Sequence, residues 1–194
     1  MNSSPIRARR SSSKLSSVCV YCGSSDGNEP VFVEAGRRFG ELLARADVEL
    51  VYGGASIGVM GAVARAVLAG GGRVTGVIPE FLSTVEVQLA DVTNLIVTDS
   101  MHSRKWQMFE RSDAFVALPG GIGTLEEVVE MLTWAQLGRH NLPIVIANLN
   151  GFWDPLIDLL DHIIKSGFAR SNIRRIYSVV DDVADILPRI EAAL

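Results

Sequence analysis

Short apolar runs rich in Val and Ile recur from Leu15 onward, separated by longer stretches in which apolar residues return every three or four positions. The first pattern suits strands and the second amphipathic helices; their alternation predicts repeated β-α units and a mainly parallel sheet. Predicted strands are Val18 to Tyr21, Glu49 to Tyr52, Arg73 to Ile78, Asn94 to Val97, Ala114 to Leu118, Pro143 to Ala147 and Ile176 to Val179. Predicted helices are Pro30 to Arg45, Val59 to Ala69, Met101 to Arg111, Thr124 to Leu137, Trp153 to Ser166 and Val183 to Ala193, with Phe81 to Val92 less defined. Runs without polar alternation, such as Phe115-Val-Ala-Leu118, mark strands covered on both faces. The expected fold is α/β, a Rossmann-like doubly wound, mainly parallel sheet with helices on both faces.

In such a sheet ligands bind beyond the carboxyl ends of the strands, near the point where strand order reverses. The unusual residues gather at that edge: Cys22-Gly-Ser-Ser25, Gly53-Gly54, Pro79-Glu80, Ser100-Met-His-Ser-Arg-Lys105 and Pro119-Gly-Gly-Ile-Gly-Thr124 follow the first five strands in turn. The last of these is the sharpest signal. Its glycines let backbone N–H groups approach a ligand, and the helix that follows adds partial positive charge, so the turn reads as a phosphate cradle. Thr124 and Glu127 also match the T-x-x-E capping box, a purely structural role. A carboxylate one turn from a phosphate loop can equally face a bound sugar.

In Asp99-Ser-Met-His-Ser-Arg-Lys105, Ser100 or Asp99 is the expected N-cap of a helix whose first turns carry two cations. Cations there oppose the helix dipole at a cost of about 0.3–1 kcal/mol each, which suggests an anion that they serve. A solvated helix face is the plain alternative. The turn Gly53-Gly-Ala-Ser-Ile-Gly-Val-Met-Gly61 departs from the dinucleotide pattern G-x-G-x-x-G, although Glu80 stands where a ribose-binding acid would fall. A non-catalytic nucleotide-binding module is a second reading, and a nicotinamide-dependent oxidoreductase, resting on Glu80, a third.

Composition narrows the classes. The 194 residues suffice for one core, with 48% apolar and 21% charged residues and a formal charge of -4. No basic stripe offers the footprint of nucleic-acid binding. No apolar run approaches the roughly 20 residues that cross a bilayer, so no membrane partner is expected. Cys19 and Cys22 form a C-x-x-C pair, but on a strand, where residues three apart face opposite ways; structural thiols in a reducing, cytoplasmic compartment are expected. Met1 to Ser17 is rich in Ser and Arg without acids. Residues 1–14 are expected to form a disordered tail and residues 15–194 a single Rossmann-like nucleotide-binding catalytic domain; an organellar transit peptide is the alternative for the leader.

Met101-His-x-Arg-Lys105 and Pro119-Gly-Gly-x-Gly-Thr-x-x-Glu127 together resemble the paired signature of the LOG family of cytokinin-activating phosphoribohydrolases. The similarity runs from about Val18 to Phe168, through Cys22-Gly-Ser-Ser25, Val51-Tyr-Gly-Gly54, Gly76-Val-Ile-Pro79 and Thr133-Trp-Ala-Gln-Leu-Gly138. The resemblance implies hydrolysis of N6-modified adenosine 5′-monophosphates to free base and ribose 5-phosphate, with AMP as the alternative or further substrate, without metal or cofactor, by a homodimer. It implies Arg104 and Glu127 as the catalytic pair. Gly120, Gly121, Ile122, Gly123, Thr124, Leu125 and Glu126 fall in the nucleotide loop, and Lys105, Glu86 and Thr133 match substrate contacts. Ser24, Gly53 and Gly54 are expected at the same edge, and Met101 either against the base or in the core. On the Thr124 to Leu137 helix, Val128, Met131, Leu132 and Trp134 are candidates for the dimer interface or for the core. The family has also carried a lysine decarboxylase label. A pyridoxal enzyme needs a Schiff-base lysine, and of Lys14, Lys105 and Lys165 only Lys105 is suitably placed.

Overall fold

The computed structural model describes residues 14–83 and 91–194, so the Ser/Arg-rich tail up to residue 13 and the expected contact Glu86 lie outside the described residues. Seven strands form one sheet: β1 Ser17–Tyr21, β2 Glu49–Tyr52, β3 Val74–Pro79, β4 Asn94–Thr98, β5 Ala114–Ala117, β6 Ile144–Ala147 and β7 Tyr177–Val180. Their order is β4-β3-β2-β1-β5-β6-β7, and every neighbouring pair is parallel. The α-helices among the described residues are α1 Pro30–Arg45, α2 Gly58–Ala69, α3 Glu80–Ser83, α4 Met101–Glu110, α5 Ile122–Gln136, α6 Asp154–Lys165 and α7 Ile186–Glu191. The order reverses between β1 and β5, which places the ligand edge at the turns following those two strands.

Each predicted strand is present; the inner strands β1, β2, β3, β5 and β6 are buried almost throughout, whereas the edge strands β4 and β7 are largely exposed or half-buried. Alternation along β1 and β2 divides the interior in two. Val18, Val20, Leu50 and Tyr52 pack with Phe39, Leu43 and Val63 of α1 and α2, while Cys19, Tyr21 and Val51 face Met108, Phe109 and Met131 of α4 and α5. Cys19 and Cys22 thus enter opposite core layers as free, buried thiols, and burial pushes the proton affinity of both upward. The predicted C-terminal helix is divided. A 3-10 turn, Val183–Asp185, precedes α7, because Pro188 has no amide to return to the carbonyl of Ala184.

His140, in the β5–β6 connection, pins α5 to the sheet. Its Nε2–H donates to the Met131 carbonyl (3.0 Å), its Nδ1 accepts from the Leu142 amide (3.2 Å), and Phe109 and Phe115 lie edge-on to the ring. Burial lowers its pKa below the ordinary 6.5, outweighing the hydrogen bond to Met131. A depressed histidine costs the fold nothing above the unfolded pKa and destabilises it as pH falls through the folded value. In urea unfolding, the stability of the wild type relative to His140→Gln should therefore shrink between pH 7.5 and 5. A difference independent of pH would show that His140 titrates with the same pKa in the folded and unfolded chain.

Candidate active site

β5 leads through Leu118-Pro-Gly-Gly121 into α5. Gly121 is the N-cap, with extended backbone and no side-chain cap. The amides of Ile122, Gly123 and Thr124 have no hydrogen-bond acceptor among the described residues, and Gly121 and Gly123 face open space. An uncapped first turn of this kind presents donors and dipole to an anion. The T-x-x-E capping box does not form. α5 starts two residues before Thr124, which becomes its third residue and is buried with Oγ1 against Gly120, where a Cβ would lie 2.2 Å away. Glu127 therefore caps nothing.

The glycine turn after β2 serves packing instead. The first amides of α2 are occupied: Val59 donates to the Ser25 carbonyl (3.4 Å) and Met60 to that of Gly23 (3.0 Å). Gly58, at φ +64°, lies so close to the backbone of Ser24 and Ser25 that a Cβ would stand 2.4 Å from it. Gly54 takes φ +86°, and Gly53 turns its carbonyl to the Arg104 guanidinium.

Ser100 caps α4 in a reciprocal box with Ser103, each hydroxyl accepting from the other's amide at 3.2 Å. With the helix start closed, its cations reach elsewhere. Arg104 is buried; Nε donates to the Val77 carbonyl (3.1 Å), Nη2 to the Gly53 carbonyl (3.3 Å), and Nη1 lies 3.8 Å from Met101 Sδ. The ends of β2 and β3 thereby orient the guanidinium and leave donors on both terminal nitrogens. Lys105 reaches across to α5, pairing with Glu126 and, at 3.1 Å, with Glu130. The anions it serves in the unliganded chain are therefore carboxylates. Burial acts to lower the Lys105 pKa, but the hydrogen bonds with Glu126 and Glu130 hold it above the ordinary value.

Glu127 is buried beside Arg104, over Tyr21 and Cys19 of β1. Burial pushes its carboxyl up to about 7; Arg104 opposes this, Glu126 adds to it, and Lys105 and Glu130 contribute in opposite senses. No described group hydrogen-bonds to it. A carboxyl that titrates near neutrality without a fixed partner suits proton transfer.

A cavity of about 460 Å³ opens at the reversal point, bordered by residues 23–29, Phe32, Val59, Pro119, Gly120, Gly121 and Phe152. Ser24, Gly120 and Gly121 thus share one space. Arg104 and Glu127 do not border it. Phe32 and Val59, which line the cavity, belong to the α1/α2 core layer, whereas Cys19 and Tyr21 belong to the other. Ile122 is 83% exposed, Met101 is exposed, and Leu125 is half-buried against the α4/α5 core. Thr133 is exposed further along α5, its hydroxyl bonded to the Val129 carbonyl (2.7 Å), and does not join the charged group. Val128, Met131 and Leu132 are core rather than interface, and Trp134 is half-buried beside Phe109. Sequence reasoning missed Glu130, the walls Phe32 and Phe152, and the carbonyl of Val77. Glu130 had a signal in its i,i+4 spacing from Glu126; a backbone carbonyl has none.

The family model described as "Possible lysine decarboxylase" matches residues 60–190. The chain is 44% identical over 174 residues to the probable cytokinin riboside 5′-monophosphate phosphoribohydrolase LOGL1 of Oryza sativa subsp. japonica, covering 90% of this chain and 78% of that protein. It is 39% identical over 179 residues to the cytokinin riboside 5′-monophosphate phosphoribohydrolase LOG2 of Arabidopsis thaliana, covering 92% and 84%. In fold it is similar to the Moco carrier protein of Chlamydomonas reinhardtii, with a TM-score of 0.70 at 20% identity over 93% of this chain and 98% of that one. The molybdenum cofactor binding protein of Rippkaea orientalis is another fold neighbour, with a TM-score of 0.66 at 20% identity over 93% and 98%. Identity near 40% along nine-tenths of the chain, with the Rossmann-like sheet, means that this chain belongs to the LOG family of cytokinin riboside 5′-monophosphate phosphoribohydrolases.

Proposed function

We propose that the chain hydrolyses the N-glycosidic bond of cytokinin riboside 5′-monophosphates, and of AMP, to free base and ribose 5-phosphate. The observation that carries this reading is Glu127, a buried carboxyl whose pKa burial pushes up to about 7, about one turn beyond the open amides of α5. A 5′-phosphate on those amides leaves C1′ of its ribose within reach of the carboxylate. Cleavage develops positive charge on the sugar, which the ionised acid stabilises while it takes a proton from the attacking water. Arg104 orients the nucleotide and stabilises negative charge on the departing base through the donors that Val77 and Gly53 leave unused. Lys105 is a poor Schiff-base lysine, since two carboxylates hold it protonated, and Lys14 and Lys165 are exposed. That argues for hydrolysis over decarboxylation.

Incubation with AMP and with an N6-modified adenosine 5′-monophosphate, followed by chromatography, should yield free base and ribose 5-phosphate. Release from neither would leave a nucleotide-binding module that does no chemistry. Residues 15–194 act as one catalytic domain, in a cytoplasmic setting that keeps Cys19 and Cys22 reduced.

The assembly is a homodimer. An apolar stripe on α5, with Ile122 83%, Val129 41% and Leu137 68% exposed, supplies the contact, and exposed Thr133 lies along it. Val129→Glu combined with Leu137→Glu should convert a dimer to a monomer in light scattering. An unchanged mass for the double variant would place the contact elsewhere.

A further inference from the structure

Glu127 has two cations for neighbours, and both are engaged elsewhere. Arg104 is tied to the carbonyls of Val77 and Gly53. Lys105 has three N–H donors, of which Glu126 and Glu130 take two. The two acids are not equivalent anchors: the Glu126 side chain is 53% exposed and that of Glu130 22%. A pair with a water-exposed carboxylate holds weakly, so the restraint on Lys105 falls chiefly to Glu130. Glu130 is also placed at a cost. Its Oε2 is buried and without a hydrogen-bond partner among the described residues, an arrangement that stability alone would disfavour.

We propose that Glu130 is a positioning residue that holds the Lys105 ammonium away from Glu127, leaving Glu127 without an ion pair and available for proton transfer. The titratable groups close enough to exchange charge effects with Glu127 are Glu126 and Glu130 from its own helix, Arg104 and Lys105 from α4, and Cys19, Tyr21 and Cys22 from β1 and the residue after it. The two thiols and the phenol stay neutral, because burial raises their proton affinity. The charge around Glu127 is therefore set by α4 and α5; of its two cations Arg104 is fixed by backbone carbonyls, whereas Lys105, on a four-carbon stem, is held only by carboxylates. Released from Glu130, it would close on Glu127 and favour the ionised carboxylate.

The inference rests on the hydrolase reading of Glu127, but its test does not need turnover. Carboxyl 13C NMR can follow the titration of Glu127 in the ligand-free chain, with Glu127→Gln supplying the assignment. The pH profile of kcat/KM is the second readout. Glu130→Gln and Glu130→Asp should each move the Glu127 titration toward acid by about one pH unit. Glutamine removes the charge and leaves the ammonium only a neutral acceptor, whereas aspartate keeps the charge and loses the reach, so Glu130→Asp carries the test alone should the glutamine variant fold poorly. In a Lys105→Met background, Glu130→Asp should leave the titration where it is, since no ammonium remains to release. A titration unmoved by Glu130→Asp in the wild-type background would overturn the proposal, and movement confined to Glu130→Gln would reduce Glu130 to a charge acting through space. Absence of hydrolysis with every nucleotide tried would reject the hydrolase reading and still leave the NMR result to decide the placement of Lys105.

Discussion

Glu127→Gln is expected to lower kcat by about two orders of magnitude or more while the fold survives, since the amide cannot exchange the proton that glycosidic cleavage requires. Survival of the fold follows from the structure. The carboxyl caps nothing, accepts no hydrogen bond from a described group, and is buried over Tyr21 and Cys19. The thermodynamic sign is specific as well. A carboxyl whose pKa is raised from 4.5 to about 7 on folding contributes fully below the unfolded value and loses that contribution as pH rises through the folded one. Glutamine is neutral throughout, so the variant should melt several degrees above the wild type near pH 8.5 and close to it at pH 5. A variant that retains full turnover would remove Glu127 from the chemistry. One that melts lower at pH 8.5 would mean that the ionised form is better satisfied than its surroundings indicate.

Gly53→Ala is the second large effect, and it separates geometry from stability. The backbone at Gly53 lies outside the left-handed region, so alanine meets no conformational penalty there. Its Cβ, however, would stand 2.3 Å from Arg104 Nη2 and 3.0 Å from Met60 Sδ. The guanidinium tip is the part that must move, and with it goes the bond that aims it. Displacement of a substrate-orienting group by about 1 Å can cost up to about 100-fold, so kcat/KM should fall by about 10- to 100-fold with the melting temperature little changed. Wild-type kcat/KM in a folded Gly53→Ala chain would show that the reaction does not depend on where Arg104 points.

These two sites also show what a sequence can reveal. The strands and the ligand edge were legible, because Val- and Ile-rich runs without polar alternation leave little choice of architecture and the glycine turns then fall at one edge; the reversal between β1 and β5 came only with the strand order. Ser100 was legible as a cap for a local reason, since its hydroxyl answers an amide three residues away. The start of α5 was misread because Thr124-x-x-Glu127 carries a capping spacing, whereas Gly121 takes the cap position and the two residues after it are already helical. The berth of Arg104 was illegible for a different reason. It is built from the carbonyls of Gly53 and Val77, 51 and 27 residues away, and a carbonyl leaves no mark on residue identity. Thr133 could be named by resemblance, but its exposed hydroxyl is bonded within its own helix to the Val129 carbonyl and stands apart from the charged group around Glu127.

The division of the interior by β1 bears on how the protein withstands oxidants. A disulfide needs two side chains that converge, and Cys19 and Cys22 diverge into separate layers with the sheet between them. Peroxide or glutathione disulfide would meet two shielded sulfurs with little thiolate character, so neither handling in air nor a change of cellular redox poise has a lever on this strand.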